Sequence, residues 1–260
     1  MNVQALKIPQ WDPVNRHTSL AGFERFHVQS AASTMDEARR LSHDCPFGVV
    51  STDAQTAGRG RVAGRQWESP PGESLALTIW TPASFYGTVP PSILVGLAVR
   101  KALISWAVSA GAQFRQPLAI KWPNDILAGD AKLAGILCEA AEGVVYVGVG
   151  INLAQRHFSY EFRTKPTSLY LETAGTAPKA QELLPIVLEE ISLAASRSDG
   201  WSSELNSVLA WRGKPVKFWP GLGDTACIHG MLAGIAHDGS VLIETDQGTL
   251  PFVSGELTRA

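Results

Sequence analysis

Between Leu118 and Asn152 the chain returns three times to apolar, β-rich sequence: Leu118 to Lys121, Lys132 to Ala140 and Val144 to Asn152, with Pro-Asn-Asp and Glu-Gly as turn signals between them. Runs this closely spaced predict a sheet, and the helical stretches around them supply its cover. Earlier in the chain, Gly22 to Val28 alternates apolar and polar residues as a strand does. Thr34 followed by Glu37 reads as a capping box that opens a helix to about His43. Gly48 to Thr56 and Ser74 to Trp80 are further strand candidates. The expected fold class is α+β, a mixed sheet with helices packed on it.

The most apolar window, Pro91 to Ala112, is interrupted by Arg100 and Lys101, so a packed helix is expected there and not a membrane span. A second helical region is expected from about Ala180 to Leu209. From Lys214 the pattern changes to short strands separated by Gly-Leu-Gly-Asp, His-Asp-Gly and Asp-Gln-Gly turns, which suggests a small barrel. The boundary falls near Trp211 to Lys214, giving domains of residues 1–211 and 212–260.

Charge and cysteine usage narrow the function classes. Lys and Arg number 22 against 24 Asp and Glu, so no global positive field draws the chain to nucleic acid or to a membrane, and any anion site must be local. Cys45, Cys138 and Cys227 are odd in number and in no CxxC spacing. That argues against a disulfide framework or a thiolate metal cluster and for a reducing cytoplasm. The N-terminal MNVQALKIPQWDP lacks the basic start and apolar run of a signal peptide. His17, His27, His43, His157, His229 and His237 show no HxH or HExxH spacing, so no protein-ligated metal is expected.

Two stretches carry candidate chemistry. GRGRVAGRQW, Gly58 to Trp67, sets arginines among glycines. Glycine permits close backbone approach to a ligand and guanidinium forks suit phosphate or carboxylate, as a phosphate-holding loop requires. Taken alone, the same residues also fit a solvated hairpin loop or an arginine-glycine contact to nucleic acid. The second stretch is IKWPNDILAGDAKLAGILCE, Ile120 to Glu139. Pro123 directs Asn124 and Asp125 out of one strand, and a Gly-Asp turn returns the chain as KLAGIL. By simple alternation Lys132, Ala134 and Ile136 share a face, and Gly135 leaves bare backbone for a ligand. A lysine entering so apolar a strand calls for a partner; alternatively, Lys121 and Lys132 pair with Asp125 and Asp130 at a hairpin surface.

Read in order, AGRGR followed by Trp67 and SPPG, then KWPND, KLAGIL, GVGIN at Gly148 to Asn152, and TSL at Thr167 to Leu169, the chain resembles the biotin protein ligases. The tail from Gly213 to Thr258, closing on SGELT, resembles that family's C-terminal module. The resemblance implies a central domain of the class II aminoacyl-tRNA synthetase and biotin ligase type, with a small SH3-like β-barrel behind it. It implies attack of biotin's carboxylate on the α-phosphate of ATP, giving biotinyl-5′-AMP and pyrophosphate, then displacement of AMP by a lysine amine of a biotin carboxyl carrier domain.

By the same resemblance Lys132, Arg61 and Asp125 are the catalytic residues. Lys132 serves the carboxylate and α-phosphate, and Asp125 orients or deprotonates the incoming lysine. Ser33, Thr34 and Gln55 meet the polar ureido end of biotin, with Met35, Gly135 and Leu137 in the same pocket. Gly58, Arg59, Gly60 and Arg61 form a lid over biotin and the phosphates, and Asn152 lies near the adenine. Mg²⁺ is expected with ATP, and the resemblance leaves open a monomer or a homodimer paired through sheet edges.

Two positions depart from the family pattern: Val62-Ala63 stands where one arginine is typical, and Met35 where asparagine often follows Ser-Thr. Only 32 residues precede Ser33, too few for the winged helix-turn-helix of operon-repressing members, so operator binding is not expected. The rival readings are a lipoate ligase, which should lack KWPND with GRGR in this order, and a noncatalytic biotin-binding or carrier-docking module.

Overall fold

The computed structural model describes residues 24–62, 64–158, 164–197, 199–221 and 227–260. The Gly22 and Phe23 start of the expected first strand, Ala63 of the loop, and Leu222 to Asp224 of one expected turn lie outside the described residues.

The larger sheet is built from β1 (Glu24–Ala31), β2 (Gly48–Arg59), β3 (Gln66–Ser69), β4 (Ser74–Pro82), β5 (Leu118–Lys121), β6 (Asp125–Ala128), β7 (Ala131–Ala141) and β8 (Val144–Asn152). Its order is β1-β2-β4-β8-β7-β6-β5, with β3 hydrogen-bonded to β2. Among the described strands only β1 and β2 run parallel; the other pairs are antiparallel, so the sheet is mixed as expected. The short turns inferred between Leu118 and Asn152 explain the antiparallel half, because a two- or three-residue connection cannot cross over a sheet.

Each face has its own cover. Helix α1 (Thr34–Leu41) buries Met35, Ala38 and Leu41 against Val50, Trp80 and Tyr146 on one face. On the other face lie α2 (Pro91–Ser109) and, beyond the short α3 (Leu169–Glu172), α4 (Ala180–Ala195). Their apolar side chains join Leu75, Leu77 and Ile79 of β4 and Val147, Val149 and Ile151 of β8. Helix α2 is long and apolar enough to cross a membrane, yet 61% of its most apolar stretch is buried inside the protein as the central core helix.

Three local expectations are corrected. The cap of α1 is Ser33, whose Oγ accepts from Met35 N at 3.3 Å, and Thr34 instead bonds Gln55. The strand into the arginine loop runs on to Arg59, and the chain returns along β3, paired Gly58 with Trp67 and Arg59 with Gln66, before β4 begins. The helical region from Ala180 is broken at Gly200, whose φ of 80° only glycine adopts freely, and restarts as α5 (Trp201–Val208).

The last strands, β9 (Pro215–Trp219), β10 (Ile228–Ile235), β11 (Val241–Thr245), β12 (Gly248–Phe252) and β13 (Glu256–Arg259), form an antiparallel sheet in the order β12-β11-β10-β9-β13. It is packed onto the larger unit: Trp122 Nε1 donates to Gly239 O at 2.9 Å, and the Trp122 and Phe218 rings lie 6.2 Å apart. Trp122 is therefore a core residue joining the two sheets. Arg259 Nη1 and Trp211 Nε1 both reach Asp130, each at 2.7 Å, pinning the β6–β7 turn to this second sheet.

Candidate active site

One row of residues crosses the α1 face of the sheet in register: Thr52, Ala76, Gly150, Gly135, Asp125 and Lys121. Small residues in the middle of this row leave a trough. Side chains opposite one another across neighbouring strands point to one face, so Gly148 and Gly150 of GVGIN and Gly135 of KLAGIL open the same floor. The Trp67 ring lies over it. A Cβ added to Gly150 would stand 2.3 Å from Trp67 Cε2, and one on Gly135 would be 3.2 Å from Cζ3. Gly150→Ala is accordingly expected to displace Trp67 and destabilise the fold by about 1–3 kcal/mol, read as a lower midpoint in urea unfolding.

Lys132 reaches this trough by a route that simple alternation misses. The β6–β7 register steps from Ile126 opposite Ala134 to Leu127 opposite Lys132, which makes Leu133 an extra residue in β7. The bulge turns Lys132 to the face of Gly135 and Leu137, whereas Leu133, Ala134 and Ile136 join the core. The expected sharing of a face by Lys132, Ala134 and Ile136 is thereby corrected. Lys132 Nζ lies 2.7 Å from Asp125 Oδ1 and 5.6 Å from the centre of the Trp67 ring. Asp130 takes neither lysine; it is bound by Arg259 and Trp211.

Two cavities meet at Lys132. A small one, about 60 Å³, is lined by Ser33, Thr34, Met35, Gln55, Arg59, Gly60, Arg61, Gly135 and Leu137 together with Trp67, Gly148 and Gly150. A larger cleft, about 520 Å³, is lined by Asp125, Asn152, Lys121, Asn124 and Phe158, with Glu256 to Thr258 of β13 at its rim. Gly60, Arg61, Trp67, Asn124 and Lys132 belong to both. All the expected site residues except Gly58 thus line one cavity or the other. Gly58 is used differently: a Cβ there would be 2.5 Å from Trp67 O, so it permits the close β2–β3 pairing that carries the loop.

The small cavity is polar at the end formed by Ser33, Thr34 and Gln55. Gln55 Oε1 accepts from Thr34 N at 2.8 Å and from Thr34 Oγ1 at 3.2 Å, and Thr78 Oγ1 donates to Thr34 Oγ1 at 2.8 Å. Met35 is 3% exposed with its sulfur over Gly148, where an added Cβ would meet Sδ at 3.3 Å. Asn152 is fixed by its own donor, Nδ2 bonding Thr167 O at 2.8 Å. Trp67 Nε1, buried in the wall common to both cavities, has no acceptor among the described residues. Among the described residues, no three His, Cys, Asp or Glu side chains are grouped to hold a metal ion.

The arginine loop is clasped at three points. Arg59 forms a two-pronged ion pair with Asp36 of α1, at 3.0 and 2.7 Å. Arg61 Nη2 donates to Gly255 O at 2.6 Å, and Arg65 Nη1 pairs with Glu256 Oε1 at 2.5 Å. Burial pulls the Arg61 guanidinium below its ordinary value, against the attraction of Glu256 and Asp125. The hydrogen bond from Arg59 holds Asp36 below the usual carboxylate range. That pair's stabilisation is complete above the unfolded carboxylate value, about 3.9, and is lost as pH falls through the lower folded value. The two side chains are 42% and 49% exposed, so the effect is small. Arg59→Met is expected to remove about 0–1 kcal/mol at neutral pH and none in strong acid, measured by thermal melting across that range.

Trp67, the floor glycines Gly148 and Gly150, and the rim from β13 extend the site beyond the residues assigned from sequence. Their signals were present in the motifs, in the tryptophan after GRGRVAGRQ, the alternate glycines of GVGIN and the closing SGELT, but the contacts among them are tertiary.

The model of the Biotin/lipoate A/B protein ligase family matches residues 26–155. The chain is 33% identical over 240 residues to a biotin--[acetyl-CoA-carboxylase] ligase of Paracoccus denitrificans, covering 86% of this chain and 96% of that protein. It is 30% identical over 219 residues to the bifunctional ligase/repressor BirA of Escherichia coli, spanning 78% of this chain but only 64% of that relative. A solved biotin protein ligase from Aquifex aeolicus, in complex with biotin and ATP, superposes with a TM-score of 0.77 at 28% identity, covering 91% of this chain and 99% of that one.

Proposed function

The chain belongs to the Biotin/lipoate A/B protein ligase family, and from that premise we propose that it is a biotin protein ligase, joining biotin through biotinyl-5′-AMP to a lysine of a biotin carboxyl carrier domain. One observation carries the reading: Lys132 and Arg61 stand in the wall shared by a small pocket with a polar end and a larger open cleft. Activation of an acid by ATP needs that arrangement, because two anions must be held in contact and only fixed positive charge between their sites permits it.

In this reading the small pocket, about 60 Å³ as it stands, widens around biotin, with the ureido end toward Ser33, Thr34 and Gln55 and Met35, Gly135 and Leu137 around the rest. ATP occupies the larger cleft with adenine toward Asn152, and Mg²⁺ comes with it on the phosphates. Lys132 and Arg61 draw the biotin carboxylate onto the α-phosphate. A carboxylate oxygen forms the new P–O bond and pyrophosphate leaves. In the second step the acceptor amine attacks the acyl carbon, AMP departs, and Asp125 orients the amine or takes its proton. Gly58, Arg59 and Gly60 carry the loop as a lid that orders when the site fills.

The same reading makes residues 1–211 the catalytic domain and 212–260 an SH3-like module, supported by the separate five-stranded sheet. It puts the protein in the cytoplasm, in keeping with free thiols at Cys45, Cys138 and Cys227. Homodimers, if formed by sheet extension, use the β1 edge, since β5 is already bonded by Ala210 N to Ile120 O at 2.8 Å. Sedimentation of the pure protein tests that part. The function itself is tested by incubation with biotin, MgATP and a purified carrier domain. A mass increase of one biotinyl group on the carrier lysine is expected; an unmodified carrier overturns the proposal.

A further inference from the structure

Lys121 lies in the same cleft with no part in the chemistry above. It ends β5 directly opposite Asp125 in the β5–β6 pair, so both side chains rise from one face. Lys121 Nζ is 3.9 Å from Asp125 Oδ2, and Lys132 Nζ is 2.7 Å from Oδ1. One carboxylate therefore stands between two ammonium groups. The two cations are not equivalent. Lys132 is the contact partner and its side chain is 28% exposed, whereas Lys121 and Asp125 are each 12% exposed. Lys121 is also secured, with Thr164 Oγ1 at 3.3 Å and its ammonium 5.5 Å from the centre of the Trp211 ring.

Lys132, as assigned above, turns its charge to the carboxylate and α-phosphate of the substrates. Its contact with Asp125 is then shared or surrendered. A nearly enclosed carboxylate stripped of its partner is strongly destabilised unless another cation stands close by. We infer that Lys121 is a positioning residue that keeps Asp125 charge-balanced while Lys132 exchanges partners. It touches no reacting atom; it balances the Asp125 carboxylate and holds it in place, and so frees Lys132. This rests on the ligase reading and on the assignment of Lys132.

The test is biotin-dependent ATP–pyrophosphate exchange in Lys121→Gln, Lys121→Arg, Asp125→Asn and the Lys121→Gln/Asp125→Asn double variant. Lys121→Gln is expected to lower kcat about tenfold or more with KM for biotin nearly unchanged, as for an interaction needed only as the reaction proceeds. Lys121→Arg keeps the charge and is expected to retain most of the rate. In the Asp125→Asn background the glutamine substitution is expected to have no further effect, because no carboxylate charge remains to be balanced. A merely structural lysine would not lose its effect there. Equal slowing in both backgrounds, an arginine variant as slow as the glutamine one, or no slowing beside intact Asp125 each overturns the inference alone. Absence of exchange in the unaltered protein overturns the ligase reading and takes this inference with it.

Discussion

Lys132→Ala is expected to reduce biotin-dependent ATP–pyrophosphate exchange by about 10²–10³-fold, the loss typical of removing one preorganised charge from a transition state. Biotin should still bind, more weakly, because the polar end of the small pocket is made by Ser33, Thr34 and Gln55, on the α1 side of the cavity. The size of the effect follows from position. Lys132 is delivered to the junction of the two cavities by the bulge at Leu133, and its ammonium sits against Asp125 over a glycine floor. Arginine there is no simple replacement, since a planar fork needs more room than an ammonium ion, and a Cβ at Gly135 would already be 3.1 Å from Lys132 Nζ. Exchange within about twofold of the unaltered rate in the alanine variant would move the catalytic charge elsewhere.

Arg61→Gly is expected to weaken retention of biotinyl-5′-AMP by about 10–100-fold, the equivalent of one charge-assisted hydrogen bond of roughly 1.5–3 kcal/mol. Arg61 is the loop arginine that lines both cavities and is also anchored outside the loop, to Gly255 O in the turn before β13. Removing it deletes that anchor and, in the proposed reading, a donor to the phosphate, and glycine adds backbone freedom at the hairpin tip. The escaping mixed anhydride acylates any nearby amine. The checking experiment incubates the variant with biotin, MgATP and a bystander protein, then counts biotinylated bystander lysines. Labelling no greater than with the unaltered protein removes the lid role from this arginine.

Much of the candidate site is legible in the sequence because the residues that line its cavities come from contiguous motifs. GRGR, KWPND and KLAGIL each bring their cavity-lining residues within a few positions of one another, and the α+β class follows from turns too short for crossovers. What sequence reasoning misses depends on register. Alternation assigns Lys132 to the face of Ala134, and only the one-residue bulge corrects this. The capping pattern points to Thr34, whereas Ser33 caps the helix and Thr34 turns to Gln55, 21 residues along the chain. The clasp of Arg61 and Arg65 by Gly255 and Glu256 spans more than 190 residues, a separation across which no local pattern carries information. Trp122 and Trp67 each stand beside a candidate motif, yet one joins the two sheets and the other roofs the glycine trough. The difference lies in what packs against each, which tertiary structure alone decides.

The central claim is that the paired cavities activate biotin with ATP, and it is tested most directly without any acceptor. Pure protein is incubated with biotin and MgATP, and in parallel with lipoate and MgATP, and the bound small molecules are identified by mass spectrometry. Biotinyl-5′-AMP from the first mixture, with no adenylate from the second, is the expected result. Adenylation of lipoate in preference to biotin, or of neither acid although biotin binds, would contradict it and leave a lipoate ligase or a biotin-binding module in its place.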